Sequence, residues 1–404
     1  MYTNDFVLVN EGLRGCVEFF RGSSARGKSA PKAAGALPVT FTEMDHSRRL
    51  RALRHKMRDQ GVGALIVTHL PDVRYLCGFT GSNAVLCVSA TRAALFTDGR
   101  YTVQAKEQTR SARVVISETS ALGDACAWLA STGVKRAYFS PEQTTVAALA
   151  RMREAIDGRK RNFFVPLEEP FVTSLRMIKD ADELAAMEKA ALLGCELFEG
   201  LLPFLEAGVA EIAVAAELEY AARRRGAEGM SFETIVASGP RSALPHGHAS
   251  AAKLPRNGFV TLDFGVILDN YCSDMTRTIH LGQLSRYERS AYDAVLAAQE
   301  AAVAAVRPGA TCGEVDEAAR GVLREAGLDE YFTHSTGHGV GIEIHEAPRI
   351  AKEQDVELVP GMVVTIEPGI YIAGKFGIRI EDMVVVTDRA QRVLTPAPKA
   401  LIEL

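Results

Sequence analysis

Two hairpins predicted from the sequence carry acidic residues at positions that should face a core. In FVTLDFGVILDNYCSDMTRTIHLG (259–282), Asp263 and Asp274 lie on the two arms, and Asp269 with Asn270 supplies the turn. A loop of even length places both aspartates on one face, opposite or one diagonal apart. Like charges about 5–8 Å apart on a half-buried face are unfavourable without a positive group between them. The pair predicts a cation site, and a solvated hairpin edge is the alternative.

A second acidic pair repeats this arrangement in VVTIEPGIYIAGKFGIRIEDM (363–383). Glu367 and Glu381 flank a turn centred near Gly374, and a three-residue loop would place them directly across from each other. They too stand among Val, Ile and Thr, at positions that should face a core. Two such hairpins are harder to explain as solvated edges than one.

Two histidines among glycines add nitrogen donors in TGHGVGIEIHEAP (336–348). His338 and His345 are seven residues apart, and Gly337 and Gly339 disfavour a helix. On a straight strand an odd spacing points side chains to opposite faces. We therefore expect the two rings to look in different directions.

Four carboxylates and one histidine suit a pair of divalent cations. Oxygen donors with one imidazole favour manganese, cobalt, iron or zinc over an ion that prefers thiolates. Four negative charges match two dications, which lie about 3.5–4 Å apart in two-metal sites. We expect two divalent ions, Mn²⁺ first, with Co²⁺, Zn²⁺ and Fe²⁺ as alternatives.

The elements that must position these residues fall into two parts. The first begins with an amphipathic helix over 45–60 that carries Leu50, Leu53 and Met57 on one face, with Asp45 as its N-cap. Short apolar runs and helical stretches then alternate, which predicts an α/β domain. The runs are 63–68, 84–89, 93–97 and 113–117, and the helical stretches are near 101–108 and 121–131. A proline-containing join places the boundary near Val172.

The second part reads as a duplicated α+β unit. Helices over 181–199 and 209–225 precede the first acidic hairpin, and helices over 287–305 and 313–326 precede the second. The predicted fold class is therefore α+β. This part and the α/β domain are preceded by residues 1–43, whose linker-like composition predicts a disordered extension or an over-called start codon.

Composition excludes several classes of protein. The 404 residues are 47% apolar and 24% charged, as in a globular protein, and no apolar run is long enough to span a membrane. A net charge of −4 argues against a nucleic-acid or anionic-membrane partner. Seven dispersed cysteines without a CxxC pair indicate a cytoplasmic location.

From about residue 44 the chain resembles the pita-bread metallopeptidases, which include aminopeptidase P, prolidase and methionine aminopeptidase. The resemblance rests on DFG with SDMTRT, on TGHGVG with HEAP, and on TIEPGIY with GIRIED. It implies a pita-bread catalytic domain over 173–404, in which a helix–helix–hairpin unit is duplicated. YLCGFTGSNAVL and TDGRY resemble the creatinase/prolidase-type N-terminal domain of the proline-specific branch, here 44–172.

The resemblance assigns the five ligand positions. It implies that Asp263 chelates one ion, that His338 and Glu367 bind the other, and that Asp274 and Glu381 bridge both. The glycines beside His338 would let the backbone pass close to the metals.

The resemblance also implies catalytic roles around the metals. Glu367 would shuttle a proton to the leaving nitrogen, and His345 would face the substrate beside His246, in SALPHGH. Both histidines would donate to the oxyanion or hold the scissile amide. A surface or structural histidine is the alternative for each, and His248 is expected to be exposed.

Three more residues are expected around the substrate. His334 is a candidate pocket wall, Tyr371 of TIEPGIY a candidate substrate contact, and Arg379 a group that orients substrate or a carboxylate.

The activity implied is cleavage of Xaa-Pro bonds in short peptides that have proline in the second position. We expect an Xaa-Pro aminopeptidase that forms a homodimer or larger homo-oligomer, with prolidase as the alternative. A metal-free creatinase-like hydrolase and a non-catalytic binding protein are disfavoured by the complete ligand set. The sequence does not reveal a clamp for a free substrate carboxylate.

Overall fold

The structure is a computed structural model, and it describes residues 44–156 and 162–404. The prediction for residues 1–43 lies outside the described residues. Within the described part, no helix combines the length and the hydrophobicity that a membrane span requires.

The N-terminal part alternates helices with strands, as predicted. Its first helix begins after Asp45, whose side chain accepts a hydrogen bond from the Arg48 N–H, and buries Leu50, Leu53 and Met57. The helices are α1 (His46–Asp59), α2 (Leu70–Cys77), α3 (Thr102–Gln108), α4 (Ala121–Ser131), α5 (Val146–Glu154) and α6 (Phe171–Arg176). The strands are β1 (Ala64–Val67), β2 (Val85–Ser89), β3 (Ala93–Asp98), β4 (Arg113–Ser117), β5 (Ala137–Phe139) and β6 (Phe164–Pro166).

These six strands form one mixed sheet in the order β4-β3-β2-β1-β5-β6. The central pairs β1–β2 and β2–β3 are antiparallel, and the outer pairs are parallel. Helices before and between the strands supply the apolar side chains that cover the sheet. We propose that this domain ends near Val172, which lies in α6.

The C-terminal part contains two successive helix pairs, each followed by strands. The helices are α7 (Ala181–Leu201), α8 (Glu211–Arg224), α9 (Arg286–Ala305) and α10 (Cys312–Glu325). Three of them begin with a capping box, formed by Asp180 and Glu183 in α7, Ser285 and Glu288 in α9, and Thr311 and Glu314 in α10. The predicted duplication of a helix–helix–strand unit is confirmed in this order of elements.

The strands after the first helix pair form two small sheets. They are β7 (Gly229–Met230), β8 (Ile235–Ser238), β9 (Gly258–Phe264), β10 (Val266–Leu268), β11 (Tyr271–Cys272) and β12 (Met275–Leu281). Their order is β11-β10-β7 in one sheet and β12-β9-β8 in the other.

The strands after the second helix pair form a five-stranded sheet and a separate hairpin. They are β13 (Gly337–Gly339), β14 (Glu346–Ile350), β15 (Val363–Ile366), β16 (Gly369–Ile372), β17 (Phe376–Arg379), β18 (Asp382–Val386) and β19 (Gln391–Val393). The order in the larger sheet is β14-β13-β15-β18-β19, and β16 pairs with β17.

Both acidic hairpins have the predicted turns. Leu268 pairs with Tyr271, so the first turn has two residues, Asp269 and Asn270, with φ of 50° and 65°. Ile372 pairs with Phe376, which leaves a three-residue loop around Gly374. These two registers determine which carboxylates face each other.

The described cysteines are buried and free. They are Cys77, Cys87, Cys126, Cys195, Cys272 and Cys312.

Candidate metal centre

The carboxylates of the first hairpin lie one diagonal apart. Asp263 on β9 pairs with Thr276 on β12, and Asp274 stands two residues before Thr276. Both aspartates are buried, at 8% and 4% exposure. The Arg379 guanidinium donates to Asp263 Oδ2 at 2.5 Å, so one oxygen of this carboxylate is already bound.

The second pair is fixed against the first hairpin. The Glu381 N–H donates to the Thr276 carbonyl at 3.1 Å, and Thr276 Oγ1 donates to Glu381 Oε2 at 2.8 Å. Across the centre, Thr365 Oγ1 donates to Glu367 Oε1 at 3.3 Å. Each glutamate therefore has one oxygen held by a threonine and the other left for a further ligand.

His338 presents a nitrogen to these carboxylates. Its Nδ1 donates to the Gly339 carbonyl at 2.9 Å, which leaves Nε2 unprotonated in the neutral ring. Nε2 lies 3.7 Å from Asp274 Oδ2 and 3.5 Å from Glu367 Oε1. Burial, reinforced by the nearby His345, lowers the pKa of His338 to about 4. The ring is therefore neutral at physiological pH, as a metal ligand must be.

The charge balance of the cluster fits cations. Burial raises the pKa of Asp274 and of Glu381 well above ordinary values, and the neighbouring carboxylates raise both further. Asp263 Oδ1 is buried without a hydrogen-bond partner in the described part of the chain. Ligand atoms of Asp274, His338 and Glu381 lie within 4.8 Å of one another. The carboxylates carry negative charge that the surrounding residues do not neutralise, and His338 adds one unprotonated nitrogen. Divalent ions that prefer oxygen ligands bind such a set of donors.

The two histidines of the glycine-rich segment do not point apart, so that prediction is wrong. The rings of His338 and His345 meet at 70° with centroids 4.4 Å apart. The straight-strand premise fails because β13 ends at Gly339, the chain loops back, and β14 begins only after His345. A register shift between His338 and Gly339 accompanies this change of direction.

The glycines beside His338 are needed by the sheet. A Cβ at Gly337 would lie 1.9 Å from the Thr365 carbonyl oxygen, and a Cβ at Gly339 would lie 2.2 Å from that of Ala347. The close approach is thus to backbone of β15 and of β14. The expectation that these glycines let the backbone pass close to the metals stays a prediction.

His246 and His345 line one cavity with the five acidic and imidazole donors. Both side chains are exposed, and neither ring has a hydrogen bond to another residue in the described ranges. His248 is also exposed, as expected, and pairs with Glu233 at 3.1 Å. The rings of His246 and His345 are therefore available to a molecule in the cavity.

His334 and Arg379 line the cavity, and Tyr371, which is not among the described lining residues, joins them in a hydrogen-bonded chain. Arg379 Nη1 donates to Tyr371 Oη at 2.6 Å, and that hydroxyl donates to His334 Nε2 at 2.9 Å. Burial, together with the charge of Arg379, lowers the pKa of His334 to about 4, so the imidazole is neutral.

Every guanidinium nitrogen of Arg379 donates a hydrogen bond within the protein. Its Nε donates to Thr276 Oγ1 at 3.2 Å, and Nη1 also donates to the Pro245 carbonyl at 3.1 Å. Of the two roles that the sequence left open, orienting a carboxylate fits this geometry, because the guanidinium already holds Asp263.

Arg349 is a cavity residue that the sequence reasoning missed. It lies on β14 directly opposite His338, so both side chains project from the same face. It lines the cavity and is exposed, and its guanidinium has no hydrogen bond or ion pair with the residues of 44–156 and 162–404. A lone arginine in a strand has no sequence signal of its own; only the register to His338 identifies it.

Comparisons with known proteins identify two families along the chain. The Creatinase/Prolidase N-terminal domain family matches residues 49–178, and Metallopeptidase family M24 matches residues 185–388. The chain is 41% identical over 356 residues to the uncharacterized peptidase YqhT of Bacillus subtilis, covering 88% of this chain and 100% of that protein.

Two solved structures extend the comparison. A Xaa-Pro dipeptidase from Bacillus anthracis has a TM-score of 0.85 and 40% identity, covering 89% of this chain and 100% of its own. An X-Pro aminopeptidase from Thermotoga maritima has a TM-score of 0.79 and 35% identity, covering 87% of this chain and 100% of its own.

These matches and the donor set confirm the α+β two-domain pita-bread fold, and with it a hydrolase that uses divalent metal ions. The chain belongs to metallopeptidase family M24, in its aminopeptidase P and prolidase branch.

Proposed function

We propose that this metallopeptidase is an Xaa-Pro dipeptidase, which hydrolyses the bond before a C-terminal proline. This replaces the aminopeptidase favoured from the sequence, which becomes the second candidate. The two activities differ in whether the cavity binds the free carboxylate of the proline or leaves room for further residues.

Arg349 is the observation that carries the proposal. A dipeptide has a carboxylate next to the scissile bond, and binding it away from water calls for a cation. Among the described residues that line the cavity, the two arginines are Arg349 and Arg379. Every nitrogen of Arg379 already donates within the protein, whereas Arg349 is exposed and unpaired there. Arg349 is thus the cation available to a substrate carboxylate.

The relatives support the same choice. The Bacillus anthracis protein, called an Xaa-Pro dipeptidase, matches with higher identity and TM-score than the Thermotoga maritima protein, called an X-Pro aminopeptidase. The latter keeps the aminopeptidase as the second candidate.

Asp263, Asp274, His338, Glu367 and Glu381 would hold the metals, which we propose to be two Mn²⁺ ions. Bound there, such ions would activate a water molecule and polarise the scissile carbonyl. Without metal, burial raises the pKa of Glu367 to about 8 against the opposing charge of Arg379. We assign Glu367 the transfer of a proton from the activated water molecule to the leaving nitrogen.

His345 and His246 would orient the substrate. Their rings have no competing hydrogen bonds to the described residues, so they can donate to the carbonyl oxygen of the scissile bond. His334 would form the wall beside it, held through the Tyr371 hydroxyl by Arg379. We propose Tyr371 as a substrate-binding residue that acts through His334.

We also propose a cytoplasmic homo-oligomer. Six buried, unpaired cysteines in the described residues suit a reducing compartment. The resemblance to the proline-specific branch supports this assembly.

A peptide panel tests the proposal. Ala-Pro, Ala-Pro-Ala and a Met-Ala peptide are compared at equal concentration with the Mn²⁺-loaded enzyme, and products are separated by chromatography. We expect cleavage of Ala-Pro with little cleavage of Ala-Pro-Ala. Preference for the tripeptide would favour the aminopeptidase, and rapid cleavage of Met-Ala alone would exclude both proline-specific activities.

A further inference from the structure

A cluster of charged side chains joins the N-terminal domain to the segment that carries His345. Arg176, at the end of α6, is 5% exposed, and Lys179 is 4% exposed. Their partners are Asp72 on α2 and the two glutamates on either side of His345, Glu343 and Glu346.

Arg176 contacts three carboxylates at once. Its Nη1 lies 2.7 Å from Asp72 Oδ1, and its Nη2 lies 2.7 Å from Glu343 Oε2 and 2.5 Å from Glu346 Oε1. Lys179 Nζ lies 3.1 Å from the other oxygen, Glu346 Oε2. Although burial alone raises the pKa of Glu346, Lys179 and Arg176 hold it below its ordinary value.

The His345 segment is wound around the Glu346 carboxylate. The Glu343 N–H donates to Glu346 Oε1 at 3.1 Å, and a Cβ at Gly341 would lie 2.7 Å from both carboxylate oxygens. The loop therefore folds back onto the Glu346 carboxylate, and Arg176 and Lys179 hold that carboxylate in place.

His345 itself has no hydrogen bond that fixes its ring within the described residues. Its packing partner is the ring of His338. The position of the imidazole is therefore set by the backbone on each side, that is, by Glu343 and Glu346.

Burying so many charges is an inefficient way to gain stability, because desolvation offsets most of the attraction. The same geometry is efficient at fixing a position, because a planar guanidinium held at two of its nitrogens by carboxylates has a defined position and orientation.

We infer that Arg176 and Lys179 are positioning residues for His345, and that the N-terminal domain supports the active site through Asp72. This inference rests on the proposed function for the role of His345, while the structural part of it can be tested without turnover.

The first test is a double-mutant cycle on activity. Arg176→Met should lower kcat for Ala-Pro by ~10²-fold, because a small displacement of a reacting group has effects of this size. Metal content should be unchanged. In a His345→Ala background the same substitution should change kcat less than about twofold. Arg176 acts on kcat by positioning the His345 imidazole, and that imidazole is absent in this background.

Arg49→Met is the matched control. Arg49 is also a buried arginine at the domain junction, paired with Asp180 at 3.1 Å and Glu183 at 3.6 Å, but it has no ion pair with the His345 segment. If the role of Arg176 is purely structural, Arg176→Met and Arg49→Met should lower kcat equally. Arg176→Met should then also lower kcat equally in the wild-type and His345→Ala backgrounds. Either result overturns the inference.

The second test needs no substrate. The Cε1–H resonance of His345, assigned by its absence in His345→Ala, should shift or broaden in Arg176→Met and stay in place in Arg49→Met. An unchanged resonance in Arg176→Met overturns the inference even if the protein cleaves no Xaa-Pro peptide.

A milder variant covers the case in which Arg176→Met does not fold. The Glu343 side chain is 37% exposed, and Glu343→Gln removes the charge that pairs with Arg176 and with His69 Nε2 at 3.3 Å, while leaving Asp72 and Glu346 in place. It should shift the His345 resonance in the same direction, and no shift would count against the inference.

Discussion

The ring of His345 meets the ring of His338 edge to face, yet only His338 turns a nitrogen toward the carboxylates. Neighbouring imidazoles in one cavity should therefore respond differently to substitution. His338→Ala removes a donor and should lower the metal content of the purified protein. His345→Ala should keep the metal and lower kcat by ~10²–10³-fold. Elemental analysis and steady-state kinetics measure both, and equal metal loss would contradict the division of roles.

Asp274→Asn should separate stability from metal binding. In the metal-free protein the substitution removes one of several crowded carboxylates, whose mutual repulsion raises the pKa of Asp274, and should therefore raise Tm. Added Mn²⁺ should raise the Tm of the wild type but not of the variant. Thermal scans with and without metal test this. Asp269→Asn, in the partly exposed turn of the same hairpin and outside the carboxylate cluster, is the control and should change neither response.

Arg349→Leu should act on substrate choice. Losing a charged hydrogen-bond donor to the proline carboxylate should raise KM for Ala-Pro by ~10–10²-fold. The effect on Ala-Pro-amide, which has no carboxylate, should be small. Kinetics on the two substrates give the comparison, and equal losses on both would show that Arg349 does not bind that carboxylate.

His69 should make the stability of the domain junction depend on pH. Burial by itself lowers the pKa of His69, but Asp72 and Glu343 raise it to about 9 from an ordinary 6.5. Its charge therefore stabilises the folded state fully below about pH 6.5, and this contribution is lost as the pH rises through about 9. Urea unfolding of wild type and His69→Gln should differ more at pH 6 than at pH 9.5. His55→Gln, on the exposed face of α1, is the control.

Gly337→Ala should disrupt the sheet that carries His338. A Cβ there would lie 1.9 Å from the Thr365 carbonyl, so the strands must separate, at a cost of several kcal/mol. Gly321→Ala in α10 has open space around the new methyl group and should stabilise by roughly 0.5–1 kcal/mol. Urea unfolding measures both, and a tolerated Gly337→Ala would contradict the close approach.

The parts of the site that the sequence predicts are those set by local register. The two-residue turn at Asp269 and Asn270 fixes where Asp263 and Asp274 stand. The three-residue loop around Gly374 does the same for Glu367 and Glu381. Alternation along a strand then determines which side chains face the core, so a charged residue at an apolar position can be recognised in the sequence.

The features of the site that the sequence did not predict depend on changes of chain direction and on contacts between residues far apart in the sequence. The shift at Gly339 brings His345 back onto His338, and no spacing rule reports such a shift. The contact of Arg176 with Glu346 joins residues 170 positions apart. Arg349 can be recognised as a site residue only from its position opposite His338 in the sheet.

The hydrogen bonds between Thr276 and Glu381 have a consequence for the order of folding. They join residues 105 positions apart, and contacts of such separation form late because a long loop must first be closed. We therefore expect the carboxylates of the two hairpins to meet only when both halves have folded and docked. Metal uptake is then expected to require the finished fold.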